Sequence, residues 1–212
     1  MLRKGPEALD DVELLAIVLG TGTPGKPVLE LSQGLLTAGG FPGLFVRGAK
    51  DLEALVAGIG PAKAARVGAV LEIAARVARE GLSKKNLLSD PPAVCAYLKT
   101  HLAGEKEEVM GGLLLDSKNR LIADAPVFRG TVSHAAVAPA PLFRQAILAG
   151  AAGVILYHNH PSGDPEPSPE DLATTKRFVA AGREIGIEVK DHIVVGRGRT
   201  VSFHERGLLA RG

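Results

Sequence analysis

The residues best suited to chemistry lie in one stretch: His158, Asn159, His160, Pro161, Ser162, Gly163, Asp164, Pro165, Glu166, Pro167, Ser168, Pro169, Glu170 and Asp171. The stretch begins where the apolar run Val154 to Tyr157, read as a buried strand, comes to an end. Residues two apart on an extended chain point the same way, so His158 and His160 present two imidazoles to one point while Asn159 faces elsewhere. Zinc takes nitrogen and oxygen donors in a tetrahedral shell, and a catalytic site keeps one position for water, so a third protein ligand is required. Asp171 is the candidate. Ser168 followed by Pro169 has the form of an N-cap with proline at the first helical position, which places Asp171 in the first turn of a helix. The same aspartate could instead be the acidic partner of a capping box with Ser168, or could cap and ligate at once. Without a metal the two histidines would be ordinary loop residues.

The elements that must position this stretch follow from its flanks. Residues 1–82 are rich in Ala, Leu and Gly at a spacing of three to four, which predicts an all-helical region. Asp10 and Asp11 are placed to cap a helix through Leu19, Pro27 opens another through Leu36, and Ala49 to Val56 and Pro61 to Arg79 complete the set. Breakers and polar residues over 83–92 predict a linker. In residues 93–212 helices are expected at Ala93 to Leu102, Pro141 to Gly150 and Pro169 to Ile185. Val109 to Leu115 and Arg120 to Phe128 read as a hairpin around the turn Asp116 to Asn119, and further strands are expected at Val154 to Tyr157, Val189 to Val195 and Thr200 to Phe203. The fold class is α/β: a helical N-terminal domain, then a mixed sheet covered by helices on both faces.

Composition narrows the function classes. The 212 residues are 46% hydrophobic, enough for packed cores, and Cys95 alone can close no internal disulfide. No secretory signal opens the chain and the longest apolar stretch, Ala146 to Tyr157, is too short to span a bilayer, so the expected location is cytoplasmic and no membrane role is expected. A net charge of +2 is no polycation, so a nucleic-acid role must rest on a motif. Gly20, Gly22 and Gly25 have the spacing of a dinucleotide fingerprint, and Gly20 to Lys26 nearly spells a phosphate-binding loop. No strand precedes them and Pro27 stands where a magnesium-binding hydroxyl is needed, which favours a plain connection between helices. Gly58, Ile59, Gly60, Pro61, Ala62, Lys63 and Ala64 lie between two helical patterns. The amides there could face a phosphate oxygen with Lys63 beside it, or the segment could be an ordinary helix-helix turn. It resembles the helix-hairpin-helix motif, which holds nucleic-acid backbone without reading bases.

His158, His160, Pro161, Ser168 and Asp171 match the JAMM motif of the MPN-type metalloprotease fold, and the stretch from His158 to Ser168 resembles the RadC family in particular. Asp116 to Ile122, Arg129 to Thr131, the trio Asp191, His192 and Ile193, and the N-terminal half with its hairpin resemble the same family, so the likeness covers almost the whole chain. The resemblance implies an α/β fold related to the deaminase-like sandwich, with zinc held by His158, His160 and Asp171. It also implies a glutamate at the start of an earlier strand. Glu108, eight residues before Asp116, is the matching position, with Glu107 and Glu105 as neighbours that leave the register open. The implied activity is zinc-dependent hydrolysis of an amide in an unidentified protein or peptide, with Glu108 moving the proton and Ser168 donating to the oxyanion.

Two alternatives stand beside it: a DNA-directed metal hydrolase or repair and processing factor served by the hairpin at Gly58, Gly60 and Lys63, and a DNA-binding module whose zinc only fastens a loop. The chain departs from the family in carrying Ala138, Pro139, Ala140 and Pro141 where a His-Pro-Arg-Glu segment is usual. It also begins later than the family's usual start, which implies an abbreviated first helix. His192 is expected to be hydrogen-bonded in the core or behind a ligand, and His101, His134 and His204 have no partner spacing. Cys95 is expected to be a small buried hydrophobe.

Overall fold

The computed structural model describes residues 5–45, 49–83, 86–102, 105–130 and 137–209. Thr131 and His134 lie outside the described residues, as do Lys84 and Lys85. Two compact units divide between Val77 and Ala78.

The first unit is helical, as its spacing predicts. Its α-helices are α1 (Asp11–Leu19), α2 (Val28–Leu36), α3 (Gly40–Phe45), α4 (Ala49–Leu55) and the greater part of α5 (Pro61–Ser83). Asp10 is the cap of α1: its carboxylate accepts from Glu13 N at 2.8 Å, and Asp10 N donates back to Glu13 at 3.0 Å. Leu15, Leu19, Leu31, Leu35, Leu44, Leu52 and Val67 close one buried core. The spacing missed α3, a six-residue helix with two glycines and a proline whose Phe41 and Leu44 pack into this core but which is too short to show a helical period. Gly20 to Lys26 connects α1 to α2, with Thr23 and Lys26 exchanging backbone hydrogen bonds at 2.9 Å across a tight turn. A helix precedes it, so neither glycine motif has the strand its chemistry needs.

The division at Val77 lies inside α5, ahead of the stretch expected to be a linker. Leu82 and Leu87 explain the shift. Both are buried in the core of the second unit, and a short 3-10 turn at Leu87–Ser89, capped by Asn86, leads directly into α6 (Pro91–His101) with Asp90 as its cap. Breakers at 86–92 thus end one element and start the next.

The second unit is built on a five-stranded sheet in the order β2 (Leu121–Gly130), β1 (Glu108–Leu115), β3 (Gly153–Asn159), β4 (Glu188–Val195), β5 (Thr200–Ser202). Only β3 and β4 are parallel, joined by α8 (Pro169–Glu184), while α7 (Ala140–Leu148) leads into β3. One face of the sheet packs Leu113, Leu115, Ile155 and Ile193 against Val94 and Leu98 of α6. The other packs Met110, Leu114, Val154 and Leu156 against Leu142 and Phe143 of α7 and Phe178 of α8. This is a mixed α/β/α arrangement, and β3, buried over its whole length, is its central strand. Among the described residues, no helix is long and apolar enough to cross a membrane.

Candidate metal centre

His158 lies within β3 and His160 just past its end, so the strand carries the first imidazole immediately beyond the apolar run that announced it. His158 is fully buried, and its Nε2 lies 3.0 Å from His160 Nε2. His160 Nδ1 is 2.7 Å from the carbonyl oxygen of Asp164. A carbonyl can only accept, so His160 donates through Nδ1 and offers the lone pair of Nε2 to the site.

Asp171 arrives from α8. Ser168 caps that helix, accepting from Asp171 N at 3.1 Å, while Asp171 Oδ2 accepts from Ser168 N at 2.6 Å. The capping box fixes the carboxylate rotamer, and that rotamer puts Oδ1 at 3.1 Å from His158 Nε2 and Oδ2 at 3.3 Å from His160 Nε2. The helix cap and the approach of the carboxylate to the two imidazoles are therefore one geometry. A proton on His160 Nε2 can take the place of a metal ion there: the hydrogen bond it then makes to the Asp171 carboxylate raises that imidazole above the ordinary histidine range against the lowering effect of burial, so the site favours positive charge.

Glu108 reaches the same place through strand register. Met110 of β1 pairs with His158 of β3 in antiparallel sense, so Glu108, two residues earlier on the same face, extends toward His160. Glu108, His158 and His160 each offer a ligand atom within 4.8 Å of the others. The neighbouring glutamates are placed differently: Glu105 pairs with both terminal nitrogens of Arg129 at 2.5 and 2.7 Å, and Glu107 is exposed. Asn159, between the two histidines, brackets Glu108 from the opposite side. Its Oδ1 accepts from Val109 N at 2.8 Å and its Nδ2 donates to Glu107 O at 3.1 Å, so a buried side chain supplies the ladder that locates the acid. The contiguous sequence singled out the histidines around Asn159 and passed over this residue, because its partners are about fifty positions away.

The donor set fits zinc. Bond lengths of 2.0–2.2 Å in a tetrahedral shell put ligand atoms about 3.3–3.6 Å apart, and the separations of 3.0, 3.1 and 3.3 Å come within a few tenths of an ångström of that spacing. Two imidazole nitrogens and a carboxylate brought this close oppose acceptor to acceptor, an arrangement that calls for a cation. The loop that carries His160 is strapped down: His160 N donates to Val195 O at 2.9 Å, Arg197 N donates to Gly163 O at 2.7 Å, and Arg206 holds Glu166 at 2.6 and 2.8 Å. Gly196 is required beneath it, since a Cβ there would overlap Gly163 O and Pro165.

The hairpin residues belong to the first unit. Gly58 has φ +103°, a conformation suited to glycine, and a Cβ there would press on Leu31 and Thr23 at 3.1 Å. The amides of Lys63 and Ala64 both donate to Gly60 O at 3.0 Å, as in any helix start, so neither needs an external anion for a partner. His192 is fully buried behind His158, and Cys95 is half-buried against the α6 core.

The RadC-like JAB domain family model matches residues 88–208, and the UPF0758 N-terminal family model matches residues 1–65. Among curated proteins, the UPF0758 protein Mpe_A2695 of Methylibium petroleiphilum is 46% identical over 210 residues, covering 99% of this chain and 94% of that one. The UPF0758 protein STH371 of Symbiobacterium thermophilum is 44% identical, covering 99% and 92%, and XCV4028 of Xanthomonas euvesicatoria is 42% identical, covering 99% and 93%. A strand bearing His158, a cap bearing Asp171 and a sheet register that brings in Glu108 are thus found in a chain that belongs to the RadC-like JAB domain family.

Proposed function

We propose that this chain is a zinc-dependent hydrolase acting on an amide bond in a protein or peptide. The observation that supports this reading is the convergence of His158 Nε2, His160 Nε2 and the Asp171 carboxylate at 3.0–3.3 Å beside a half-buried glutamate. When bound, zinc supplies a Lewis acid for the scissile carbonyl and lowers the pKa of water from about 16 toward about 7. Glu108 takes the proton of the attacking water and passes it to the leaving amine, a transfer its place beside the two histidines allows. Ser168 accepts from Asp171 N through a lone pair, so its hydroxyl proton remains available to donate to the oxyanion. The low-dielectric surroundings of β3 strengthen each of these electrostatic contacts.

The test is metal analysis of the full chain purified without chelators, followed by peptide, isopeptide and DNA substrates. One zinc per chain is expected, with amide cleavage. Glu108→Gln is expected to keep zinc and lose hydrolysis, and His158→Ala to lose zinc. A native chain without zinc overturns the reading. Metal-dependent nicking of DNA that Glu108→Gln abolishes would move the scissile bond to a phosphodiester. Salt-sensitive DNA binding without any cleavage would reduce the zinc to a fastening.

A further inference from the structure

Behind the proposed ligands runs a hydrogen-bonded chain that ends on a group with only one possible role. His158 Nδ1 lies 2.8 Å from His192 Nε2, His192 Nδ1 lies 2.6 Å from Thr175 Oγ1, and Thr175 Oγ1 donates to the backbone carbonyl of Asp171 at 2.7 Å. His158, His192 and Asp171 are fully buried and Thr175 nearly so. The carbonyl can only accept, which commits the single hydroxyl proton of Thr175 to it. His192 Nδ1 must then donate to Thr175, the Nε2 of a neutral His192 must accept, and His158 Nδ1 must donate. His158 Nε2 is left with its lone pair, and that is the atom facing His160 and Asp171.

We infer that His192, backed by Thr175, is a positioning residue that fixes the tautomer and ring orientation of His158, so that Nε2 is the metal-binding nitrogen. The inference rests on the metal reading above. His192 is also held in place by its surroundings. Its ring packs on Phe203 with centroids 4.8 Å apart, and its backbone N–H donates to Asp191 Oδ1 at 2.7 Å. That carboxylate is held in turn by Ser202 Oγ at 2.6 Å and His204 N at 2.9 Å. A register shift in the β3–β4 ladder between Val154 and Ile155 turns His192 onto the face of Val189 and Phe178, where strict alternation would have put it on the other. Partners of this kind orient a ligand imidazole and raise its basicity, and their loss costs about 10–100-fold in metal affinity.

The experiment measures zinc affinity of the full chain by competition with a chromophoric chelator, alongside proton–nitrogen spectra of the histidine rings. His192→Phe keeps a ring but offers no acceptor, whereas His192→Gln can set an amide oxygen near the position of Nε2. The expected result is zinc bound to His158 Nε2 in the native chain, about 10–100-fold weaker binding in His192→Phe with loss of the protected His158 Nδ1–H signal, and substantial recovery of both in His192→Gln. Thr175→Val, nearly isosteric, is the second variant should His192→Phe not fold, with several-fold weaker binding expected. Native affinity in folded His192→Phe or in Thr175→Val, equal losses in the Phe and Gln variants, or zinc on His158 Nδ1 each overturns the assignment while leaving the metal reading intact. A native chain that binds no zinc overturns both.

Discussion

Tyr157 and His158 are neighbours on β3, yet they open onto two buried polar clusters of opposite character. On the α6 face, Asp124 Oδ1 accepts from Tyr157 at 2.6 Å and Oδ2 from Tyr97 at 2.7 Å, with His101 Nε2 at 3.2 Å from Oδ2. Burial and the Asp124 carboxylate hold both phenols well above the ordinary tyrosine range, so they remain donors. The carboxylate side chain is 4% exposed, and its needs are met from within the chain. On the α8 face, the Asp171 carboxylate meets two imidazole nitrogens that present lone pairs. One cluster matches donors to an acceptor and is a structural element. The other gathers acceptors at 3.0–3.3 Å that a proton or a metal ion reconciles. Burial alone does not distinguish a site from a scaffold; the balance of donors and acceptors does.

The same substitution on each face sharpens this contrast. Asp171→Asn keeps an oxygen to cap α8 but removes the anionic ligand, so zinc affinity is expected to fall by more than about a hundredfold, beyond the loss from an outer partner. Chelator competition reads that loss, and unchanged affinity would place the metal elsewhere. Asp124→Asn is expected to leave zinc content untouched while lowering stability by about 2–3 kcal/mol, because charge-assisted hydrogen bonds are replaced by weaker ones and an amide N–H meets donors. Thermal unfolding should register a drop of roughly 5–10 °C. A loss of zinc instead would mean that the two faces are coupled.

Gly111→Ala tests the α6 face alone. Its Cβ would overlap the Tyr157 hydroxyl and lie 2.9 Å from Ala125 O. Overpacking of about 1–3 kcal/mol is expected, with zinc binding retained, and a Gly111→Ala chain as stable as the native one would show that the tyrosine network is loose. The smallest effect is expected at the exposed β1–β2 turn, where Asp116 contacts neither cluster. Backbone and side-chain hydrogen bonds from Arg120 hold Asp116 below the ordinary aspartate range. A depressed carboxylate contributes stability that is present above its unfolded pKa of about 3.9 and lost as pH falls through the lower folded value. Native and Asp116→Asn chains should therefore have melting curves that converge only at the acid end of a pH series, and a difference that grows toward acid would reverse the sign.

Much of the site was legible because its signals are local. The pair His158 and His160 sits at the strand period, and Ser168, Pro169 and Asp171 spell a helix start within four residues. The hairpin turn from Asp116 to Asn119 was equally plain, with Asn119 taking the left-handed conformation at φ 57°. What was not legible is long-range. No spacing rule links Asn159 to Val109, His192 to His158 or Tyr97 to Asp124, and a register shift broke the alternation by which the facing of His192 would have been read.

Sequence by itself determined the identities and local geometry of the candidate ligands, the helical character of the first unit and the alternation of strands and helices in the second, since these rest on periods of two and 3.6 residues and on capping chemistry that acts within a turn. Tertiary structure alone decided that Glu108 rather than Glu105 stands with the histidines, that Asp171 caps and faces the site in one rotamer, and that His192 lies behind His158. The physical reason is that strand register, crossover and sheet order bring together residues dozens of positions apart, and no local preference specifies which of them meet.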